Sequence, residues 1–188
     1  MADKKDWSEY YDFTRPQPPR ELLVEAISYV RDIGKAIDIG GGALRDTKYL
    51  LQKGFDVTVI DKSPLLEKEA QEIKNERLHL FVTSFEDFQF PANEYVLASA
   101  MYSLPFCEPA HFSRVITNIK SSLKNGGIFC GQMFGDHDQW SKTVEMTYIT
   151  ADKAREYLAD MEIISFREQE TEEGRTKHWH IFDFIVRK

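Results

Sequence analysis

One short segment constrains the fold of this chain more than any other: AIDIGGGALRD, at residues 36–46. Its apolar start, residues 36–39, is typical of a buried strand, and a helical pattern begins at Leu44. The three consecutive glycines between them leave bare backbone for a ligand, because side chains there would collide with it. The following helix directs its first amide groups toward the same place. The segment therefore predicts an α/β fold with a binding site at the end of its first strand.

Strand and helix patterns alternate along the rest of the chain. Strands are predicted at residues 55–60, 78–82, 95–100 and 128–134, and helices at residues 20–31, 44–53, 109–123 and 150–160, with another helix opening at Pro64. Two more strand patterns, at residues 163–170 and 178–186, flank Gly174 and predict a hairpin. This order predicts one α/β domain with a mostly parallel seven-stranded sheet and an antiparallel C-terminal strand. The polar and aromatic residues 1–19 are expected to form an N-terminal arm or lid on a core at residues 20–188.

Composition and charge narrow the possible partners and the cellular location. A net charge of −7 argues against nucleic acid, because phosphate binding needs a basic face. Cys107 and Cys130 form no CxxC motif and are typical of buried thiols in a reducing cytosol. The N-terminus lacks the apolar region of a secretory signal, and no apolar run reaches the roughly 20 residues of a membrane helix. We therefore expect a cytoplasmic protein without a nucleic-acid or membrane partner. The sequence gives no clear signal on the oligomeric state.

An acidic residue, Asp61, ends the second predicted strand about 20 residues after the glycines. A carboxylate there can accept hydrogen bonds from two ribose hydroxyls, which indicates an adenosine-containing ligand. A nicotinamide dinucleotide is the main alternative ligand, but the sequence motif that binds it has a third glycine where this chain has Arg45. An NAD(P)-dependent oxidoreductase therefore stays open as a second interpretation. The simplest structural explanation is an ordinary glycine turn with Asp61 as a loop carboxylate.

These motifs, together with LKNGGIF at residues 123–129, resemble those of the class I S-adenosylmethionine-dependent methyltransferases. The chain looks closest to the small bacterial tellurite-resistance-like and type 11/12 members, and the resemblance covers nearly its whole length. Two phrases, FGDHDQW at 134–140 and KHWHIF at 177–182, also resemble a narrower bacterial subgroup. The resemblance implies a Rossmann-like sandwich, S-adenosylmethionine as cofactor and in-line methyl transfer to a small-molecule acceptor. A non-catalytic protein that binds this cofactor is the third interpretation.

The resemblance also implies which residues hold the cofactor. The implied set is Asp38, Gly40, Gly41 and Gly42 at the methionine end, Asp61 at the ribose, Lys62, Ser63, Phe85 and Glu86 near the adenine, and Ser99, Tyr102 and Tyr11 near the sulfonium. The chain departs from the family pattern at two positions. Leu44 stands where the family often has a third glycine, and Ser84 stands where it often has an aspartate.

The acceptor site is expected where the strands end. In open α/β sheets ligands bind beyond the carboxyl ends of the parallel strands, and an antiparallel last strand begins at that same edge. We therefore expect residues that are distant in sequence to converge there, with the N-terminal aromatics as a lid. The predicted catalytic residues are Tyr102, His178 and His180, the histidines serving as general base for a neutral acceptor, and the predicted substrate-binding residues are Tyr10, His137 and Trp140.

No metal site is expected from the sequence. A zinc site formed by His137, His178 and His180 is conceivable, but no thiolate or glutamate stands at ligand spacing beside them. Each histidine on the last strand is more commonly a core or surface residue. The charge run at residues 168–173 predicts a solvated end of the hairpin.

Overall fold

The computed structural model of the protein describes residues 7–171 and 177–188. A single mixed sheet forms its centre. The strands are β1 (Lys35–Ile39), β2 (Asp56–Asp61), β3 (Leu78–Val82), β4 (Tyr95–Ala100), β5 (Leu123–Gly135), β6 (Tyr148–Ile149), β7 (Glu162–Glu170) and β8 (His180–Arg187). Seven of them follow the order β3-β2-β1-β4-β5-β8-β7, and β6 pairs with β5 outside this path.

The described residues also form six α-helices and two short 3-10 helices. They are α1 (Ser8–Thr14), α2 (Glu21–Ile27), α3 (Arg45–Gln52), α4 (Leu65–Ala70), α5 (Pro109–Ser122) and α6 (Ala151–Leu158), with 3-10 helices at Leu104–Phe106 and Gln139–Lys142. None of the helices described is long and apolar enough to cross a membrane.

The predicted sheet is confirmed in its main features. Strands β1 to β5 are parallel to one another, and β8 runs antiparallel to both β5 and β7. Alternation along each strand gives the sheet two apolar faces. Ile37 and Ile39 pack in the cluster that contains Phe112 of α5 and Leu158 of α6, whereas Ala36 packs with α2, α3 and α4. The result is a helix–sheet–helix sandwich in which the ends of β1, β2 and β4 meet at one edge.

The structure departs from the sequence prediction around β5. This strand begins at Leu123 instead of residue 128, so residues 125–127 lie inside it. Gly126 donates its N–H to the carbonyl of Lys188, and Lys188 donates to Gly127, so the C-terminus extends the pairing. The two-residue β6 was not predicted because so short a strand carries no periodicity. The predicted turn at Gly174 lies outside the described residues.

Candidate active site

A glycine loop joins the end of β1 to the start of α3. Gly40 has a left-handed backbone, with φ of +77°, and a Cβ there would lie 2.3 Å from the Cβ of Ser103. A Cβ at Gly41 would lie 2.4 Å from Cγ1 of Val59. We expected the glycines to make room for a ligand; these two make room for the protein's own side chains. The loop is therefore packed against the core as well as open to the cavity above it.

Asp61, at the end of β2, fixes the position of this loop. Its Oδ2 accepts the N–H of Gly42 at 2.9 Å, and its Oδ1 accepts the N–H of Ser63 at 2.8 Å. Burial raises the pKa of this carboxyl, while the two backbone hydrogen bonds act in the opposite direction. The carboxylate also lines the cavity, so its remaining lone pairs are available to hydroxyl donors there.

Helix α1 closes one side of the cavity. The ring of Tyr11 lies over Gly42, 3.7 Å from where a Cβ would stand. Burial and the charge of Asp61 raise the pKa of Tyr11 to about 12, so its phenol is neutral. Arg15 donates two hydrogen bonds, of 2.7 and 2.6 Å, to Glu69 of α4. These contacts tie the N-terminal arm to the core.

Two arginines line the cavity beside the loop. Arg20 pairs with Asp46 at 2.6 Å, and its guanidinium carbon lies 5.3 Å from the ring centroid of Tyr102. Arg45 lies 3.7 Å from the same carboxylate, and its buried Nε has no hydrogen-bond partner among the described residues. Burial and the nearby Arg20 lower the pKa of Arg45. With Lys62, the described lining has three cations and one carboxylate, which gives it a positive balance.

The far end of the cavity is built from aromatic rings, which we call the aromatic wall: Trp7, Phe106, Phe134, Trp140 and Trp179. Trp7 meets Phe106 edge to face with centroids 5.3 Å apart, and Phe134 meets Trp179 in the same way at 5.7 Å. Trp140 is tilted against Trp179 at 5.2 Å. The wall thus joins pieces from the N-terminal arm, the chain after β4, the end of β5 and the chain before β8.

Lys177 braces two rings of this wall. Its Nζ lies 3.4 Å from the centroid of Trp140 and 3.0 Å from that of Trp179. It also pairs at 3.1 Å with Asp138, whose side chain is completely buried. A cation held against two indole faces by a buried carboxylate stabilises their relative placement.

Tyr102 lies between the glycine loop and the aromatic wall in a left-handed backbone conformation, with φ of +57°. Its N–H donates to Oε1 of Gln132 at 3.0 Å, and Nε2 of Gln132 donates to Asp183 at 3.0 Å. Burial and the charge of Asp183 raise the pKa of Tyr102. The phenol is therefore protonated at neutral pH.

Asp38 is buried directly beneath the loop. Its Oδ2 accepts a hydrogen bond of 2.5 Å from Oγ1 of Thr47. Burial, with a smaller contribution from neighbouring Asp46, raises its pKa to about 7. This carboxyl therefore changes charge near neutral pH, close to the cavity floor.

The cavity brings together most of the predicted site residues. Those that line it are Tyr10, Tyr11, Gly40, Gly41, Gly42, Asp61, Lys62, Phe85, Tyr102 and Trp140. Asp38, Ser63 and Ser99 are buried behind this lining, and Glu86 accepts the N–H of Glu108 at 3.1 Å. Their assigned contacts with a cofactor stay predictions.

The predicted histidines lie outside the described lining of this cavity. His137 Nδ1 and His178 Nε2 lie 3.3 and 2.9 Å from Oε1 of Glu170, and His180 is buried with its Nε2 2.8 Å from Glu168. We therefore correct the expectation that His137, His178 and His180 converge on the cavity. Side chains alternate along an extended segment, and Trp179 is the residue that faces inward. Neither His178 nor His180 is placed to act as a general base there.

Several lining residues were not predicted: Trp7, Thr14, Arg20, Ala43, Arg45, Met101, Ser103, Phe106, Phe134 and Trp179. Trp179 could have been found, because alternation puts it on the face opposite to the two histidines that flank it. Trp7 belongs to the same aromatic arm as Tyr10. Arg20 belongs to no motif, and the position of Arg45 in the sequence indicates only a poor fit to a pyrophosphate.

The fold and the site define a class of protein. A largely parallel sheet with one antiparallel strand, a glycine loop after β1 and a carboxylate at the end of β2 are the features of the class I S-adenosylmethionine-dependent methyltransferases. The sequence model of the family described as tellurite resistance protein TehB matches residues 1–179, and the chain belongs to this family. The protein is an S-adenosylmethionine-dependent methyltransferase, and the nicotinamide-dependent and non-catalytic alternatives are set aside.

Solved structures share the fold. TehB from Haemophilus influenzae superposes with a TM-score of 0.76 and 21% identity over 97% of this chain, which spans 65% of that chain's length. The 1,6-didemethyltoxoflavin-N1-methyltransferase of Burkholderia thailandensis, with bound 1,6-didemethyltoxoflavin and S-adenosylhomocysteine, has a TM-score of 0.71 and 18% identity over 90% of this chain and 77% of its own. A methyltransferase from Methanosarcina mazei has a TM-score of 0.70 and 19% identity over 92% of this chain and 99% of its own. No curated protein sequence matches significantly.

Proposed function

We propose that the protein transfers the methyl group of S-adenosylmethionine to a small molecule held against the aromatic wall. One observation carries this proposal: a single cavity extends from the glycine loop and Asp61 to Trp140 and Trp179. The cofactor supplies a methyl group on a positively charged sulfur that is a good leaving group. Alignment of donor and acceptor in one enclosed space can contribute several kcal/mol, about 7–11 at best, to an in-line displacement.

The residues on the cavity side of the loop fit this cofactor. Asp61 offers lone pairs to ribose hydroxyls, and Phe85 offers an apolar face to the adenine. The buried Nε of Arg45, which has no hydrogen-bond partner among the described residues, suits the carboxylate of the amino-acid end. The neutral rings of Tyr11 and Tyr102 can stabilise a positive sulfur by about 0.5–2 kcal/mol each.

The acceptor that we propose is a nucleophile that needs no base from the protein. The described lining contains no histidine, and its one carboxylate is Asp61. Burial raises the pKa of both Tyr11 and Tyr102, so these phenols keep their protons at neutral pH and cannot accept another from the substrate. Arg20 pairs with Asp46 and Arg45 is assigned to the carboxylate of the cofactor, which leaves Lys62 as a cation of the lining that favours an anion. A soft anion such as an aromatic thiolate meets these conditions. It is nucleophilic without the help of a base, it is negatively charged, and its ring can pack against indole.

We also propose a class of partner, a cellular location and a role for the N-terminal arm. A small molecule suits a chain of net charge −7 better than a nucleic acid does. We place the reaction in the cytosol, where the buried free thiols of Cys107 and Cys130 stay reduced. Within a single domain, we assign residues 1–19 the role of a lid, supported by Tyr11 over Gly42 and by the hydrogen bonds between Arg15 and Glu69.

The test combines thermal unfolding with a transfer assay on the full chain. S-adenosylhomocysteine at about 100 times its Kd should raise the Tm by roughly 5–10 °C, and NAD should not raise it. Methyl-labelled cofactor is then offered with three acceptors of one shape: thiophenol, phenol and aniline. We expect label transfer to the thiol above all.

Two results would count against the proposal. Binding of S-adenosylhomocysteine without transfer to any acceptor class would remove the small-molecule assignment. Transfer to aniline or phenol at a higher rate than transfer to thiophenol would show that the protein supplies a base that the described lining does not contain.

A further inference from the structure

Three of the five histidines of the chain lie together at one corner of the sheet, outside the cofactor cavity. His137 follows the end of β5, His178 precedes β8 and His180 begins it. Oε1 of Glu170 lies 3.3 Å from Nδ1 of His137 and 2.9 Å from Nε2 of His178. Nitrogen and oxygen donors from separate parts of the chain are thus concentrated in one small volume.

The carboxylates of this cluster come from the facing strand. Glu170 pairs with His180 in the register of β7 and β8, and Glu168 is two residues further along the same face. The sequence gives no glutamate at ligand spacing next to the histidines, and the antiparallel pairing supplies it. A run of acidic residues that predicted only a solvated hairpin end therefore contributes two carboxylates to an imidazole cluster.

One imidazole of the cluster is already fixed in place. The ring of His180 is buried and packs so closely on the backbone of β5 that a Cβ at Gly135 would lie 1.9 Å from its Nδ1. Its Nε2 lies 2.8 Å from Glu168, and the ring of His137 stacks on it with centroids 4.7 Å apart. A carboxylate bonded to one imidazole nitrogen is the outer-sphere arrangement that orients metal-binding histidines. The other nitrogen, Nδ1, accepts the backbone N–H of His137 at 3.2 Å, and a metal ion has to replace this N–H as its partner.

We propose that His137, Glu170 and His180 bind a divalent transition-metal ion such as Zn²⁺. One ligand atom from each residue lies within 4.8 Å of the other two. Bonds of about 2.0–2.1 Å to a tetrahedral ion place ligand atoms about 3.3 Å apart, so the cluster must contract. The ring of His137, which stacks on that of His180 at an interplanar angle of 22°, must also turn so that a nitrogen of each ring faces the ion. The side chain of His137 is 64% exposed and free to make this adjustment. Two imidazoles and a carboxylate form a donor set that Zn²⁺ accepts and that Mg²⁺ and Ca²⁺ do not prefer.

The metal would act as a clamp on the aromatic wall. His137 lies on the segment that leads to Trp140, and His180 is next to Trp179. An ion bound by both histidines links the chain after β5 to the start of β8, and so fixes the two indoles that Lys177 also holds. This role does not depend on the acceptor or on transfer itself, and a metal can bind here whether or not the proposed function is correct.

The experiment is a titration of metal-free, tag-free full-length protein with Zn²⁺, followed by calorimetry and by Tm, with Co²⁺ absorption as a second probe. We expect one ion per chain, a higher Tm and no competition from excess Mg²⁺. Cys107 and Cys130 are buried and offer no competing thiolate. Two variants at exposed ligands, His137→Ala and Glu170→Gln, should each weaken Zn²⁺ binding at least about tenfold.

His111→Ala is the matched control, because this histidine lies in α5 beside Glu108 and away from the cluster. It should bind Zn²⁺ as the unmodified chain does, and all three variants should keep their affinity for S-adenosylhomocysteine, which shows that they are folded. No stoichiometric Zn²⁺ binding by the unmodified chain would overturn the proposal. Binding that His137→Ala and Glu170→Gln leave unchanged, while the proteins remain folded, would place the ion elsewhere and overturn it equally.

Discussion

The two ends of the cavity are built in different ways. At the glycine-loop end, neighbouring strands β1 and β2 deliver a few residues through backbone hydrogen bonds, such as the one from Gly42 to Asp61. At the aromatic wall, four separated parts of the chain contribute side chains that contact one another through ring faces and edges. Backbone geometry therefore specifies the proposed cofactor end, whereas side-chain identity specifies the proposed acceptor end.

The largest effect should come from the backbone of the glycine-loop end. Gly40→Ala combines an unfavourable φ of +77° with a Cβ placed 2.3 Å from that of Ser103, and we expect a loss of about 2–5 kcal/mol in the free energy of unfolding. Gly126→Ala is the control, because φ is +80° there but no atom lies within 4 Å of the added Cβ. It should cost about 1–2 kcal/mol. Equal losses in urea denaturation would mean that close packing of the loop is unimportant.

A second test uses the buried carboxyl under the loop. The folded pKa of Asp38 is about 7, above its usual value of 3.8, so the fold favours the protonated form. The chain should therefore lose stability relative to Asp38→Asn as pH rises through the window between these two values, and the difference should level off above it. We expect a relative change of about 2–4 kcal/mol between pH 4 and pH 8. A difference that is constant with pH would show that the carboxyl ionises normally.

The third test separates cofactor binding from acceptor binding at the glycine-loop end. Asp61→Ala removes the carboxylate that accepts hydrogen bonds from the N–H groups of Gly42 and Ser63 and that we expect to accept them from the ribose hydroxyls. The Kd of S-adenosylhomocysteine should rise about 10–100-fold by calorimetry. At saturating cofactor, the KM of the acceptor should change little. If the Kd stays the same, the carboxylate does not hold the nucleoside.

The smallest effect should appear at the aromatic wall. Trp179→Ala removes a ring that contacts Phe134 and Trp140, and we expect the KM of the acceptor to rise about 3–10-fold. The Kd of S-adenosylhomocysteine should stay within twofold, the reverse of the pattern for Asp61→Ala. A variant that loses cofactor affinity instead would show that the two ends are not separate.

The same contrast explains which parts of the molecule could be predicted from sequence. The sheet order and the glycine-loop end depend on local patterns: a strand, a glycine run, a helix and a carboxylate at the next strand end. Leu44 illustrates the limit even here, because it takes the left-handed conformation, with φ of +60°, and is fully buried where the family often has glycine. No propensity predicts a leucine in that conformation, which packing in the core must impose.

The aromatic wall could not be predicted in the same way, because it depends on the register between distant segments. The choice between Trp179 and the histidines on either side of it depends on which face of the strand meets the cavity. That face is decided by the pairing of β8 with β5, such as Phe182 with Met133. The same register brings Glu170 opposite His180. Single-sequence spacing carries no information on either pairing.

A crystal structure of the full chain with S-adenosylhomocysteine would show whether the nucleoside occupies the glycine-loop end of the cavity. We expect the ribose hydroxyls to bind Asp61, the sulfur to lie between Tyr102 and the glycine loop, and free space to remain between the sulfur and Trp140. A nucleoside bound away from Asp61, or a homocysteine sulfur directed away from the aromatic wall, would contradict this expectation.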